Sequence, residues 1–151
     1  MSSIIIGYGN PFRRDDGFGW RVIDALRATL DAETEGEMAL LQTHQLMPEL
    51  AEDISRVACV VFVDASVEGE PGEIRTRRVG VGERPAANYT HYVAPEELLG
   101  MAEILYGHQP EAWLVTVTGV DFDLGEGLTE GVDRAVGEVV GKIRGGNVVF
   151  L

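Results

Sequence analysis

Ile4-Ile5-Ile6-Gly7-Tyr8-Gly9-Asn10-Pro11-Phe12-Arg13-Arg14-Asp15-Asp16-Gly17-Phe18-Gly19 opens with an apolar run, breaks at a Gly-x-Gly-Asn turn and reaches two adjacent carboxylates. A helical pattern starts directly afterwards, so the stretch reads as a strand–loop–helix unit with acids where the helix begins. A dinucleotide-binding loop needs a third glycine for close helix–strand packing, and Phe12 stands in its place. A phosphate-cradling Walker loop needs Gly-Lys-Ser/Thr, which the stretch lacks. Two carboxylates at the loop's end would also repel a phosphate. Acids at a helix start suit capping or, if they project into a cleft, a cation.

Working outward, strand and helix signals alternate. Ser3–Gly7 reads as a buried strand, followed by Phe18, Val22, Ile23, Leu26 and Leu30 at helical spacing. Asp31–Glu37 is a solvated connection and Met38–Gln42 a second strand. Leu46, Met47, Leu50, Ala51 and Ile54 form the stripe of a second helix, with Glu49, Glu52 and Asp53 facing water. Cys59–Asp64 is continuously apolar before its final acid, which implies a strand buried on both faces. Pro71-Gly72 marks a turn, and Glu73–Val79, carrying Arg75, Arg77 and Arg78, reads as an edge strand protected by charge. Gly80–Asn88 is a flexible loop. Pro95 starts a helix whose inner face is Leu98, Leu99, Ala102 and Leu105, and Trp113–Thr118 is another buried strand. A last helix follows Leu128-Thr129, with Val132, Val136, Val139, Val140 and Ile143 inside. Glu130 and Asp133 stand at its start, Lys142 and Arg144 at its end and Gly145 just past it.

Alternating β and α units predict a three-layer α/β/α architecture, a mostly parallel twisted sheet with helices on both faces. At 151 residues, residues 1–151 are expected to form one domain. No apolar segment is long enough to span a membrane, and no basic region precedes an apolar stretch at the N-terminus. A single cysteine, Cys59, makes an internal disulfide impossible and fits a reducing, cytoplasmic compartment. A formal charge of −13 argues against nucleic acid as partner.

In open α/β sheets ligands bind beyond the C-terminal strand ends. Asp16 follows the first strand, Asp64 ends the third, and His91 precedes a helix after the long loop. Two carboxylates and an imidazole suit nickel, zinc or another divalent first-row metal, with positions left open for water or substrate. Each has an ordinary alternative. Asp16 would serve as a first-turn acid, Asp64 would accept backbone N–H bonds and His91 would be a plain loop histidine. Asp15 fits the capping task better than Asp16. His44, just after strand two, would contact substrate or add a ligand, and otherwise Thr43 or His44 begins the second helix. Gly-x-Ser-x-Gly and His-Glu-x-x-His are absent, and Cys59 belongs to a strand rather than a helix start, so other hydrolytic machinery is missing.

The ordered blocks Gly7-x-Gly9-Asn10, Asp15-Asp16-Gly17-x-Gly19, Val60-Val61-Phe62-Val63-Asp64-Ala65, Thr90-His91, Pro95-Glu96-Glu97-Leu98-Leu99 and Gly125-x-Gly127-Leu128-Thr129 resemble the nickel–iron hydrogenase maturation proteases. The resemblance implies that family's fold. It also implies an endopeptidase removing the C-terminal extension of a hydrogenase large-subunit precursor after nickel insertion. Asp16, Asp64 and His91 fall on the family's three metal-contact positions, which makes them the implied metal-binding and catalytic residues, with nickel carried by the substrate. Gly7, Gly9, Asn10 and His44 are the expected substrate contacts. The sequence departs from the family in having aspartate where glutamate is frequent at position 16, and in the non-glycine segment around His44. A non-catalytic, metal-sensing maturation chaperone on the same fold is the alternative.

Overall fold

The computed structural model describes residues 2–29, 37–80 and 93–145. The order is β1 (Ser3–Tyr8), a 3₁₀ turn (Arg14–Gly17), α1 (Phe18–Thr29), β2 (Met38–Thr43), α2 (Leu50–Ser55), β3 (Cys59–Ser66), β4 (Ile74–Arg78), α3 (Pro95–Tyr106), β5 (Glu111–Thr118) and α4 (Glu130–Arg144). The sheet runs β2-β1-β3-β5-β4, parallel throughout except for β4, which pairs antiparallel with β5 at the edge.

Side-chain alternation along the strands builds two cores. Ile4, Ile6, Val60, Phe62, Ala112 and Leu114 face α2 and α3, which contribute Ala51, Ile54, Leu98, Leu99 and Ala102. Ile5, Val61, Val63, Val115 and Val117 face α1 and α4, where Val22, Ile23, Leu26, Val132, Val139 and Ile143 close the other layer. The three-layer arrangement read from alternation is the one observed. Each buried aliphatic or aromatic side chain contributes about 1.5–3 kcal/mol against exposure.

The layers approach closely where α1 crosses the sheet. A Cβ on Gly7 would collide with the Gly19 carbonyl oxygen, and one on Gly19 would lie 2.5 Å from that of Val63. The glycines that bring helix onto strand are therefore 7 and 19, and Phe12 is free of that duty.

One helix boundary and one buried face differ from expectation. The second helix begins at Leu50, although its stripe reads from Leu46. Pro48 keeps Met47 out of the helical region, so the helix starts only after the proline. Leu46 is buried as a loop side chain and Met47 is exposed. In α3 the buried stripe ends at Ala102, leaving Leu105 exposed with Ile104 and Tyr106 in the last turn. Gly145 caps the last helix directly after Arg144, as expected, with a right-handed φ of −74°, and Gly107 caps α3 in the left-handed region at φ 73°. Leu30, the run from Asp31 to Gly36, nearly all of Gly80–Asn88, and Thr90-His91 lie outside the described residues. Among those described, no helix is long and apolar enough to cross a membrane.

Candidate active site

β1 has β2 on one side and β3 on the other, so the topology switches direction at its C-terminal end, where open sheets hold their ligands. A cleft of about 350 Å³ opens there, lined by Tyr8, Asn10, Asp16, His44, Asp64 and Val93 among others. Asp16 and Asp64, 48 positions apart in the sequence, are thus brought to one site.

Asp16 stands in the 3₁₀ turn and receives no helix-capping bond. That turn has no side-chain cap, and its carboxylate instead accepts the Asn10 backbone N–H at 2.7 Å. Asn10 is itself set by its side-chain oxygen, which accepts the Phe12 N–H at 2.9 Å, closing an Asx turn. Gly9 is at φ +133°, and a Cβ there would collide with the Asp16 carbonyl oxygen. Only glycine fits at this position. Gly9 and Asn10 line the cleft, whereas Gly7 is buried beneath α1. The missing side chain of Gly7 thus admits the helix, not a substrate.

Asp64 ends the buried part of β3. Its pKa is pushed up to about 7. Burial is the main cause and the negative charge of Asp16 adds to it, while the Ala65 N–H, at 2.8 Å, and the Tyr8 hydroxyl pull the other way. Two carboxylates sharing one cleft resist simultaneous ionisation, and a cation between them relieves that repulsion. Tyr8 was not among the residues expected at the site. The signal lay in strand register, since Gly7 pairs with Val63 and the next residues, Tyr8 and Asp64, share a face.

His44 does not begin a helix. It is exposed in the irregular segment after β2 and lines the cleft, its ring edge-to-face with Trp20 at 5.6 Å. Trp20 is anchored in turn by Nε1 donating to the Thr43 carbonyl at 3.0 Å. His91 lies outside the described residues. Among those described, no group of three or more His, Cys, Asp and Glu side chains is placed to hold an ion by itself. The donor pair Asp16 and Asp64 fits a cation that brings further ligands with it.

Asp15 is fully buried and accepts bonds from Val120, Asp121 and Thr129, none of which lines the cleft. Burial alone would raise its pKa, but those backbone donors and the Thr129 hydroxyl outweigh it and hold the carboxyl below the usual range. It caps no turn of its own; Thr129, which it holds, is the N-cap residue of α4. Cys59 is half-buried, and burial pushes its thiol up to about 11, with Glu111 adding and Arg78 opposing, so it is no nucleophile.

The chain matches no protein-family model. It superposes on the crystal structure of the [NiFe] hydrogenase maturation protease HycI from Thermococcus kodakarensis with a TM-score of 0.77, covering 97% of this chain and 92% of that one at 21% identity. The fold is that of the hydrogenase maturation proteases. The maturating endopeptidase HybD of E. coli gives a TM-score of 0.68 at 24% identity, with 97% of each chain covered. In sequence the chain is 28% identical to a Methanocaldococcus jannaschii protein provisionally named a hydrogenase maturation protease, over 93% of this chain and 96% of that protein. The likeness to these proteases therefore spans nearly the whole chain, as the order of the motif blocks implied.

Proposed function

We propose that this chain is an endopeptidase that cuts the C-terminal extension from a nickel–iron hydrogenase large-subunit precursor once nickel is in place. The observation that carries the reading is the convergence of Asp16 and Asp64 on one cleft at the switch point of a maturation-protease fold, with Asp64 poised near neutrality. Asp16, Asp64 and His91 are assigned to the nickel that the precursor presents, and other divalent metals would fit the same donors. A cation favours ionised Asp64, so engagement of a nickel-bearing precursor strengthens as pH rises through about 7. Hydrolysis adds the hydroxyl of water to the scissile carbonyl carbon and its proton to the departing amine. The chain's part is to seat the peptide beside the two carboxylates. His44, Asn10 and Gly9 line the same space and are assigned to substrate contact. Exposed Phe12, Val67, Val120 and Leu124 stand on loops after β1, β3 and β5, a rim suited to a polypeptide partner.

The test is the intact mass of purified nickel-loaded precursor after incubation with the chain. Loss of the mass of a C-terminal peptide supports the proposal. A stable complex with no loss of mass identifies a metal-sensing chaperone instead. Asp16→Asn and His91→Ala should abolish the mass loss, and Asp16→Asn should shift unfolding free energy by no more than about 1 kcal/mol, as expected for a residue outside the core. A cost of several kcal/mol for Asp16→Asn, read by urea denaturation, would make it a structural residue.

A further inference from the structure

The proposed chemistry uses the second acid of the Asp15-Asp16 pair and leaves the first unexplained. Asp15 Oδ2 accepts the N–H groups of Val120 and Asp121 at 2.9 and 3.1 Å, Oδ1 accepts the N–H of Thr129 at 2.8 Å, and the Thr129 hydroxyl lies within 2.8 and 3.0 Å of the two oxygens. A whole loop between β5 and α4 is thereby gathered on one buried carboxylate. The neighbouring backbone is laced to the same loop. Asp15 N–H donates to the Asp121 carbonyl at 2.9 Å, Arg14 N–H to that of Gly125 at 3.0 Å, and Gly125 N–H to that of Phe12 at 2.8 Å.

This lacing holds Arg14 at φ +45°, the one positive-φ residue besides glycine among those described. Such a conformation is disfavoured for a side-chain-bearing residue and persists where the surroundings over-determine it. Asp15 has little room to shift, since a Cβ on Gly119 would already lie 2.8 Å from its own Cβ. Asp16 is the next residue. It lies in the same 3₁₀ turn, Arg14–Gly17, and its N–H donates to the Arg13 carbonyl at 3.0 Å, so the turn that Asp15 anchors carries Asp16 with it.

We infer that Asp15 is a positioning residue: its buried carboxylate, by gathering Val120, Asp121 and Thr129, sets where the Asp16 carboxylate stands in the cleft. The catalytic half of this inference rests on the assignment of Asp16 to substrate metal; the geometric half does not. The bond from Asn10 N–H to Asp16 Oδ2 is a local reporter of that carboxylate's place. A residue that merely adds stability would leave the reporter unchanged in any variant that is still folded.

The experiment is amide proton NMR on the full chain without metal, comparing wild type with Thr129→Val, Thr129→Ser and Asp15→Asn. Thr129→Val removes the hydroxyl and keeps the backbone donor; Asp15→Asn turns an amide group toward the loop's N–H donors. In folded Thr129→Val, the Asn10 amide should move upfield and exchange at least about tenfold faster, while amides in the centre of β3 keep their protection. Thr129→Ser should restore the wild-type signal. In the cleavage assay Asp15→Asn should lower kcat by about 10²-fold with KM within about threefold, the pattern of a displaced reacting group. An unchanged Asn10 amide in folded Thr129→Val overturns the inference, and that variant decides the matter if Asp15→Asn does not fold. Absence of cleavage by the wild type would remove the proposed function and leave the amide result standing.

Discussion

Asp64→Asn should abolish precursor cleavage and make the folded chain more stable above neutral pH. The wild-type carboxyl titrates near 7 in the fold and near 4 once unfolded. Below both values neither state is ionised and Asp64 imposes no penalty. As pH rises from about 4 to 7 the unfolded chain releases this proton and the folded chain keeps it, so stability is lost across that window and the loss is complete above it. The asparagine side chain of the variant has no proton to release. Urea denaturation of both proteins at about pH 4.5 and about pH 8 should therefore show the variant gaining on wild type with rising pH, by roughly 2–4 kcal/mol once partial hydration of the site is allowed for. Asp15 contributes the opposite slope, stability lost as pH falls below about 4, but it is common to both proteins and cancels. A difference between the two that does not vary with pH would show that Asp64 is not held protonated in the cleft. Stability gained with activity lost is the usual mark of a functional group held in an unfavourable place.

Val61→Asp should leave no folded protein at about 25 °C. Val61 is fully buried in β3, paired with Ile5 on one side and Trp113 on the other, and packed toward α1 and α4. The side chains clustered around it are apolar, so the new carboxylate would be buried in a hydrophobic setting. The cost exceeds about 4 kcal/mol, against a total stability of about 5–15 kcal/mol for a domain of this size. Far-ultraviolet circular dichroism and a thermal melt would report it. A cooperative melt within a few degrees of wild type would contradict burial of this strand on both faces.

Most of the architecture was legible because it rests on local pattern. Apolar runs marked the parallel strands, and Arg75, Arg77 and Arg78 marked β4 as an edge, although its antiparallel direction depends on pairing with β5 and is not written locally. The convergence of Asp16 and Asp64 followed from the strand-end rule alone. His44 stands at the site's edge of the sheet as expected; the alternative helix start at Thr43 or His44 failed because the apolar stripe from Leu46 suggested a helix that Pro48 forbids. Leu105 was misplaced because helical spacing does not say where along a helix the burial stops. Asp15 was assigned to capping for a deeper reason. Its partners lie 105 to 114 residues further along the chain, and no local spacing announces them.

The central claim is that Asp16 and Asp64, with His91, read a metal carried by the substrate. The most direct measurement strips the enzyme with chelator, removes the chelator and follows the mass of metal-free and nickel-loaded precursor side by side. Three protein ligands are too few for a closed structural site, so the fold should survive the stripping. The account predicts cleavage of the loaded precursor alone. Equal cleavage of both precursors would contradict it, as would a stripped enzyme that fails on loaded precursor until zinc is added.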